Sequence, residues 1–452
     1  MPSRRRAPWP LVALFTAGHL AAYLLPTVVG RLSAGLGLAP AQAGLVGSTL
    51  LLASAAAGFT LAARVERYGP RRLARIGLGL AVAGYGCAAL VSYVPLVVAG
   101  ATVGGFGSGT ATAVAAAGIA AQRDPHRASA LGLLSVSATA GALYLTIPRL
   151  GGGHALPFAS IALVAAAVWT VTGRLPGPSR AVAATAPTGR VPHLRSGTVL
   201  AAAILLWALA QNALWGVSGR IGLTQAGLSE VTVGAVFAVA LGAGLAGVTA
   251  AGALGARLGR AVPIGAGTVL IAACVALSSR AGNLAAFATG EILWNTFYPV
   301  VLSYLIGLAA SLDPRGRWAV WVGSASSLGV ACGPVTGSVL SEAAGYPGMG
   351  TVLAAALLLV AVPMTAVALH TSGRPLVPGS VRRRGGAPAA VLAGTAGTAA
   401  AAGGLLPQMG APEQEVAEID VPVPARRAFR LSSGARRTGA RQSKAYASTS
   451  AR

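Results

Sequence analysis

The only acidic residue well inside a long apolar stretch of this chain is Glu291. A charged carboxylate inside a membrane-spanning helix costs about 3 kcal/mol or more unless it is paired or protonated. Asn295 follows one helical turn later, and Tyr298 lies on an adjoining part of the same helix. Two interpretations remain: Glu291 carries a proton during function, or it stays neutral and hydrogen-bonded to Asn295.

Two other apolar stretches contain polar side chains that could line a central cavity. His19 and Tyr23 lie one turn apart in the first stretch, and Gln211, Asn212 and Trp215 lie in a later one. A packed, hydrogen-bonded histidine explains His19 equally well. These residues are candidates for a substrate cavity or a proton pathway.

Three arginines lie close to the ends of apolar stretches. Arg31 and Arg220 are 189 residues apart, and Arg149 ends another stretch. They would attract an anionic substrate or anchor the helix ends to lipid headgroups.

The amino-acid composition indicates which kind of helix carries these polar and charged residues. The chain is 54% hydrophobic and only 10% charged, whereas an average soluble domain has about 25% charged residues. Runs of about 18 or more apolar residues predict membrane-spanning helices. The sequence predicts an all-helical membrane protein with twelve spans, at 10–31, 42–64, 73–93, 95–121, 128–150, 155–173, 198–219, 231–256, 262–280, 283–309, 318–341 and 347–370.

Basic residues predict the orientation of these spans, because Lys and Arg near helix ends stay on the cytoplasmic side. Alternate loops are rich in arginine, whereas the opposite loops hold only Arg31, Arg149, Arg220 and Arg280. We therefore expect a multi-pass protein of the plasma membrane with both termini in the cytoplasm. The formal charge of +24 follows largely from this bias, so nucleic-acid binding is not expected.

The two halves of the chain repeat the same landmarks. Arg67 and Gly69 align with Arg257 and Gly259 at an offset of 190 residues, and Asp-Pro steps at 124 and 313 are 189 residues apart. We predict an N-terminal six-helix half at 1–173, a cytoplasmic linker at 174–197, a C-terminal half at 198–371 and a disordered basic tail at 372–452. Its Arg382-Arg383-Arg384 cluster could hold anionic lipid headgroups; the alternative, which we prefer, is a solvated tail.

The loop between spans 2 and 3 resembles the signature loop of the Major Facilitator Superfamily, Gly-x-x-x-Asp-Arg-x-Gly-Arg-Arg. Ala62 replaces the first glycine, Glu66 replaces the aspartate, and Pro70 is inserted after the glycine. The remaining motif positions are kept, at Arg67, Gly69, Arg71 and Arg72. The resemblance covers roughly residues 10–371 and implies two pseudo-symmetric six-helix bundles and a monomer.

Carboxylates and guanidiniums at a helix end can tie neighbouring helix ends together. We therefore interpret the first loop as a cytoplasmic gate. Its repeat has Ala256 at the acidic position and is the weaker candidate. The alternative is that the arginines only set the topology. The candidate gate residues are Glu66, Arg67, Gly69, Arg71, Arg72, Arg257, Gly259 and Arg260.

Glycines in spans 4 and 11 predict close helix contacts or hinges. Span 4 contains Gly105, Gly107 and Gly109, and it resembles the fourth-helix motif of the superfamily with Ala101 in place of its arginine. Span 11 is similar to an exporter motif that the superfamily bears in span 5. Its candidate hinge residues are Gly329, Gly333, Pro334 and Gly337.

The leading hypothesis is a secondary transporter that exports a small drug-like or metabolite substrate in exchange for protons. An importer and a nontransporting membrane sensor are the alternatives. The spans contain no nucleophile with a base, and Cys87, Cys274 and Cys332 have no metal-site spacing. Neither an enzyme, a metal nor a cofactor is therefore expected.

Overall fold

The computed structural model describes residues 9–122, 124–151, 153–175, 191–254, 258–313 and 315–372, and these ranges contain helices and no strand. The predicted tail beyond Ser372, which ends α13, and most of the predicted linker lie outside the described residues. The helices are α1 (Trp9–Tyr23), α2 (Leu25–Leu36), α3 (Pro40–Leu61), α4 (Val65–Tyr68), α5 (Pro70–Leu90), α6 (Val94–Ala120), α7 (Pro125–Leu150), α8 (Ala155–Val171), α9 (Leu194–Arg220), α10 (Glu230–Leu254), α11 (Ala261–Ser278), α12 (Leu284–Leu312) and α13 (Arg317–Ser372).

Ten helices in the described part of the chain are long and apolar enough to cross a membrane, and the bent pair α1 and α2 makes an eleventh span. Helix α13 has 56 residues, which is about 84 Å at 1.5 Å per residue, whereas the hydrocarbon layer is about 30 Å thick. Gly345 breaks it with φ 68° and ψ 171°, a conformation that favours glycine. The two parts of α13 correspond to predicted spans 11 and 12.

A proline causes the break in the first predicted span. Helices α1 and α2 are bent by 47°, and Pro26 lies in the first turn of α2. Proline has no N–H to donate, so the carbonyl of Ala22, four residues earlier, is released from helical hydrogen bonding. The indole nitrogen of Trp215 donates to that carbonyl at 3.2 Å. The sequence predicted one continuous span here and missed the bend.

The spans form two bundles. Helices α1, α3, α5, α6, α7 and α8 pack among themselves, as do α9 to α13. Between the bundles, α3 packs on α13, α7 on α10, and α2 on α9. We call the end where α2 ends and α3 begins the Arg31 end, and the opposite end, where α5 begins, the Arg71 end.

Glycines on two faces of α6 set how closely its neighbours approach. A Cβ atom built on Gly104 would lie 2.6 Å from the Tyr85 ring of α5, and one on Gly107 would meet the backbone of Gly77. On the other face, Gly105 and Gly109 lie against backbone carbonyls of α3. One helix therefore contacts two neighbours at backbone distance through different glycines.

At the Arg71 end, two Asp residues organise the turns before α7 and α13. Asp124 Oδ1 accepts a hydrogen bond from the Arg127 N–H at 2.9 Å. Asp313 accepts from Arg317 Nε at 2.6 Å and from the Arg315 N–H at 3.1 Å. Burial alone would raise the pKa of Asp313, but these hydrogen bonds hold the pKa below its ordinary value.

We expect Asp313→Asn to lower the thermal unfolding midpoint at neutral pH, because the Arg317 guanidinium loses its charged partner. A lowered folded-state pKa means that the carboxylate stabilises the fold above the unfolded pKa of about 3.9. That contribution is lost as the pH falls through the folded-state value. The thermal midpoints of Asp313→Asn and wild type should therefore converge at acidic pH. Asp124→Asn is the control, because Asn caps helices as well as Asp; an equal loss in both variants would contradict this account.

Candidate functional site

A cavity between the two bundles encloses about 590 Å³ of empty space, including the space at its open mouth. Helices α1, α7, α9, α10 and α12 supply the lining, which contains no charged side chain among the described residues. The lining residues are Ala22, Tyr23, Leu133, Ser137, Asn212, Trp215, Leu241, Gly244, Leu245, Val248, Trp294, Asn295, Tyr298 and Pro299.

Five of the residues predicted from the sequence lie together in this cavity: Tyr23, Asn212, Trp215, Asn295 and Tyr298. Their helices come from both bundles, since Tyr23 ends α1 whereas the other four lie on α9 and α12. Helical spacing places Asn295 and Tyr298 on the same part of α12. The cavity is therefore built from polar and aromatic groups on facing helices.

The other three predicted residues lie outside the lining. Gln211 is buried behind it, where its Oε1 accepts from Trp294 Nε1 at 2.9 Å. His19 is 1% exposed; its Nδ1 lies 2.9 Å from the Phe15 carbonyl, and its ring stacks on Phe15 with centroids 3.9 Å apart. Glu291 is also fully buried. These side chains point into helix contacts because each is held by a neighbouring helix or by its own preceding turn.

The Glu291 carboxyl group lies among three helices of one bundle. Its Oε1 contacts Ser218 Oγ of α9 at 2.9 Å and Ser278 Oγ of α11 at 2.5 Å. Gly290 permits this approach, since a Cβ there would lie 2.9 Å from the Ser278 backbone nitrogen. Oε2 is buried without a hydrogen-bond partner among the described residues.

Asn295 contacts Glu291 in a different way from the one expected. Its side-chain nitrogen donates to the Glu291 main-chain carbonyl at 2.9 Å, and the carboxyl group faces the two serines. The Asn295 amide reaches the main-chain carbonyl four residues earlier in its own helix more easily than it reaches the Glu291 carboxyl group, which points at other helices.

Sequence reasoning missed Trp294, Ser218 and Ser278. Trp294 follows Glu291 by three residues, so helical spacing alone could have added it to the candidate set. The two serines gave no such signal, because single serines are common in membrane helices and nothing in the sequence pairs them with α12.

The Arg31 end of the molecule is tied across the bundles by one arginine. Arg31 Nε donates to Glu230 Oε1 of α10 at 2.8 Å. The same guanidinium donates to the carbonyls of Gly151 at 2.6 Å, Ile147 at 3.1 Å and Gly153 at 3.3 Å, at the end of α7 and just beyond it. Arg31 thus joins α2, α7 and α10, a role that the sequence did not indicate.

Further contacts between the bundles lie between this end and the middle of the helices. The Ala41 N–H donates to Glu342 Oε2 at 3.2 Å, and the Val335 N–H donates to Ser48 Oγ at 3.0 Å. Gly234 of α10 lies against the Tyr144 carbonyl of α7. The cavity is therefore closed toward the Arg31 end.

At the Arg71 end, arginines of the signature-like loop bind helix ends of their own bundle. Arg71 Nε donates to the Leu175 carbonyl at 2.9 Å, just after α8. Gly69 has φ 84° and Gly259 has φ 66°, so both repeats turn with a glycine in the left-handed region. Arg67 and Arg72 are exposed. The Glu66 side chain and all of Arg257 lie outside the described residues.

In the second repeat, Arg260 Nη1 donates to Ser311 Oγ of α12 at 2.6 Å. This contact ties the start of α11 to the end of α12 within one bundle.

The Gly-Pro segment of α13 lies where α13 meets α9. A Cβ on Gly333 would lie 2.5 Å from Asn212 Cβ, and Gly329 and Gly337 lie against the α9 carbonyls of Leu205 and Ala213. Non-helical backbone occurs in α13 at Gly345, eleven residues after Pro334. The segment therefore provides close helix packing beside the cavity residue Asn212.

Comparison with known proteins identifies the class. A sequence model of the Major Facilitator Superfamily matches residues 11–314, more than half of the chain. The chain belongs to this superfamily. It is a multi-pass membrane protein and a secondary transporter of small molecules, in a family that is non-enzymatic. No curated protein matches the chain.

Two solved structures share the fold. The human organic anion transporter MFSD10 (TETRAN) is 19% identical over 80% of this chain and 100% of that chain, with a TM-score of 0.58. A point mutant of the nucleoside transporter NupG is 14% identical over 80% and 99% of the two chains, with a TM-score of 0.65. The predicted all-helical fold with two six-helix bundles is confirmed.

Proposed function

We propose that the protein exports a small molecule from the cell in exchange for protons, and that Glu291 carries the proton. The observation that supports this most is the Glu291 carboxyl group, which is fully buried and, among the described residues, forms hydrogen bonds only with serine hydroxyls. No cation is described next to it, so the charged form would lack a compensating charge in a medium of low dielectric.

The serine contacts accommodate both the protonated and the ionised form of Glu291. Ser218 Oγ lies 3.0 Å from the Leu214 carbonyl and 2.9 Å from Glu291 Oε1. A hydroxyl group has one hydrogen to donate. If Ser218 donates to the carbonyl, Glu291 must be protonated and donate to Ser218; if Glu291 is ionised, Ser218 turns its hydrogen toward the carboxylate.

The proposed proton site and the cavity share two helices. Ser218 lies three residues from Trp215 on α9, and Glu291 lies three and four residues from Trp294 and Asn295 on α12. A shift of α9 against α12 on protonation would therefore move cavity groups directly. This proximity supports coupling between proton and substrate.

We also propose how the protein is oriented in the membrane and which of its parts move. The arginine-rich Arg71 end faces the cytoplasm, and both termini lie there, in the plasma membrane. The six-helix halves 1–173 and 198–371 rock against each other around the cavity, with the loop at Arg67 to Arg72 acting as the inner gate. The cavity, closed toward the Arg31 end, is then accessible from the inside.

The proposal is tested by untargeted mass spectrometry of cells and medium. Wild type, an empty vector, Glu291→Gln and Asp124→Asn are expressed to equal levels in one host. We expect a compound enriched in the medium by wild type and by Asp124→Asn, because Asp124 caps the start of α7 at the Arg71 end and does not line the cavity. Glu291→Gln, which cannot release a proton, should abolish the enrichment.

The other outcomes separate the alternatives. Depletion of a compound from the medium by wild type would show import and overturn export. Equal export by wild type and Glu291→Gln would overturn the role of Glu291. Four identical profiles would contradict transport in that host and favour a sensor.

A further inference from the structure

We propose that the cavity selects uncharged, planar molecules that both donate and accept hydrogen bonds. This inference rests on the proposed function, because it names the substrate class of the same cavity. It is carried by three features of the described lining: the absence of charge, the aromatic faces and the orientation of two side-chain amides.

The lining gives a charged substrate nothing to pair with. Among the described residues it contains hydroxyl, amide and indole groups but no acid and no base. Moving an ion out of water carries a large desolvation cost that persists after the protein relaxes. A cation over an aromatic face regains only part of that cost, so the aromatic rings alone do not offset it.

The aromatic rings form one connected wall. Trp215 and Trp294 have ring centroids 5.6 Å apart, and Trp294 and Tyr298 have centroids 6.1 Å apart. The indole N–H groups point away from this contact, since Trp215 donates to the Ala22 carbonyl and Trp294 to Gln211. The rings therefore offer apolar faces and edges, on which a planar molecule packs well.

The side-chain amides supply polar recognition. Asn212 Nδ2 donates to the Ala208 carbonyl at 2.9 Å, and Asn295 Nδ2 donates to the Glu291 carbonyl at 2.9 Å. Each amide thus uses one hydrogen within its own helix and has an oxygen and a second hydrogen for other partners. The Asn212 amide lies within hydrogen-bonding reach of the Tyr298 hydroxyl, and Tyr298 is 6% exposed, so the two side chains form one polar patch. A ligand with both donors and acceptors satisfies these groups.

Binding of three isosteric probes tests the class: indole-3-carboxamide, indole-3-carboxamidine and indole-3-carboxylate, which are neutral, cationic and anionic at neutral pH. Affinity for the purified full chain in lipid nanodiscs is measured by calorimetry, and uptake is measured in proteoliposomes. We expect the amide to bind at least about tenfold more tightly than either ion. Equal or tighter binding of an ion, or no binding of the amide, would overturn the proposal.

A charge placed in the cavity should reverse the preference. Asn212→Asp and, separately, Asn295→Asp add a carboxylate, so we expect each to bind the amidine at least about tenfold more tightly than wild type does. Asn283→Asp is the matched control, because Asn283 caps α12 by accepting from the Ala286 N–H outside the cavity. This gain of binding cannot arise from misfolding. No gain in either cavity variant, or an equal gain in Asn283→Asp, would contradict recognition in this cavity.

Uptake separates the two proposals. Binding of the amide without uptake would refute transport but support the substrate class. Uptake of the amidine or the carboxylate with exclusion of the amide would support transport and refute the class.

Discussion

Arg31→Ala should open the Arg31 end of the transporter. Arg31 is a mostly buried cation that bonds Glu230 of the other bundle and three carbonyls at the end of α7. Of these bonds, only the one to Glu230 joins the two bundles, and Glu230 is 39% exposed. Losing such a partly exposed ion pair costs about 1 kcal/mol. This loss falls on the closed arrangement, because the bundles separate on opening, and it would raise the open fraction about fivefold.

The reactivity of a buried cysteine reports this opening. Ser48→Cys places a thiol where α3 meets α13 at Val335, in a background in which Cys87, Cys274 and Cys332 are replaced. A membrane-impermeant maleimide should label this thiol much faster in Arg31→Ala than in the parent. Arg31→Lys should lie between them, because an ammonium group cannot reproduce the fork of guanidinium donors.

Arg149→Ala is the matched control for loss of charge. Arg149 is exposed near the same end, and its guanidinium donates to the Leu145 carbonyl of its own helix. Its removal should leave labelling unchanged. Equal labelling of Arg31→Ala and Arg149→Ala would show that Arg31 only contributes charge near the membrane surface.

Gly109→Leu should abolish the folded protein. Gly109 lies against the backbone carbonyl of Ser54 in α3, and a carbonyl within a helix cannot rotate aside as a side chain can. Overpacking of this kind costs about 1–3 kcal/mol, and occasionally more. A leucine at this position forces two backbones apart, so its cost lies at the upper end of this range. We expect loss of the monodisperse peak in gel filtration and a thermal midpoint far below wild type.

Gly86→Leu is the control for this substitution. Gly86 lies in α5 of the same bundle, and a Cβ built there meets nothing within 4 Å. Because leucine is a better helix former than glycine, this variant should keep or raise the midpoint. A similar loss of thermal midpoint in both variants would mean that leucine destabilises either helix wherever it is placed, and that the contact with α3 does not decide the result.

Much of the architecture follows from the sequence alone. The lengths of the apolar runs and the arginine-rich loops predicted twelve spans and a duplicated unit, because a span must be about 20 residues long and apolar whatever its neighbours are. The polar residues Asn212, Trp215, Asn295 and Tyr298 were found for a similar reason, since a polar group inside a span is costly and therefore conspicuous.

Only the tertiary structure decided which of these groups face one another. Glu291 meets Ser218 and Ser278 rather than the Asn295 side chain, and Arg31 meets Glu230, 199 residues later. Such pairs depend on the rotation of each helix and on its neighbours. A helix that is apolar on all sides gives no sequence signal for its rotation about its own axis, because the lipid and the protein interior are equally apolar. Backbone contacts at glycines fix that rotation, and they exist only once the helices have packed.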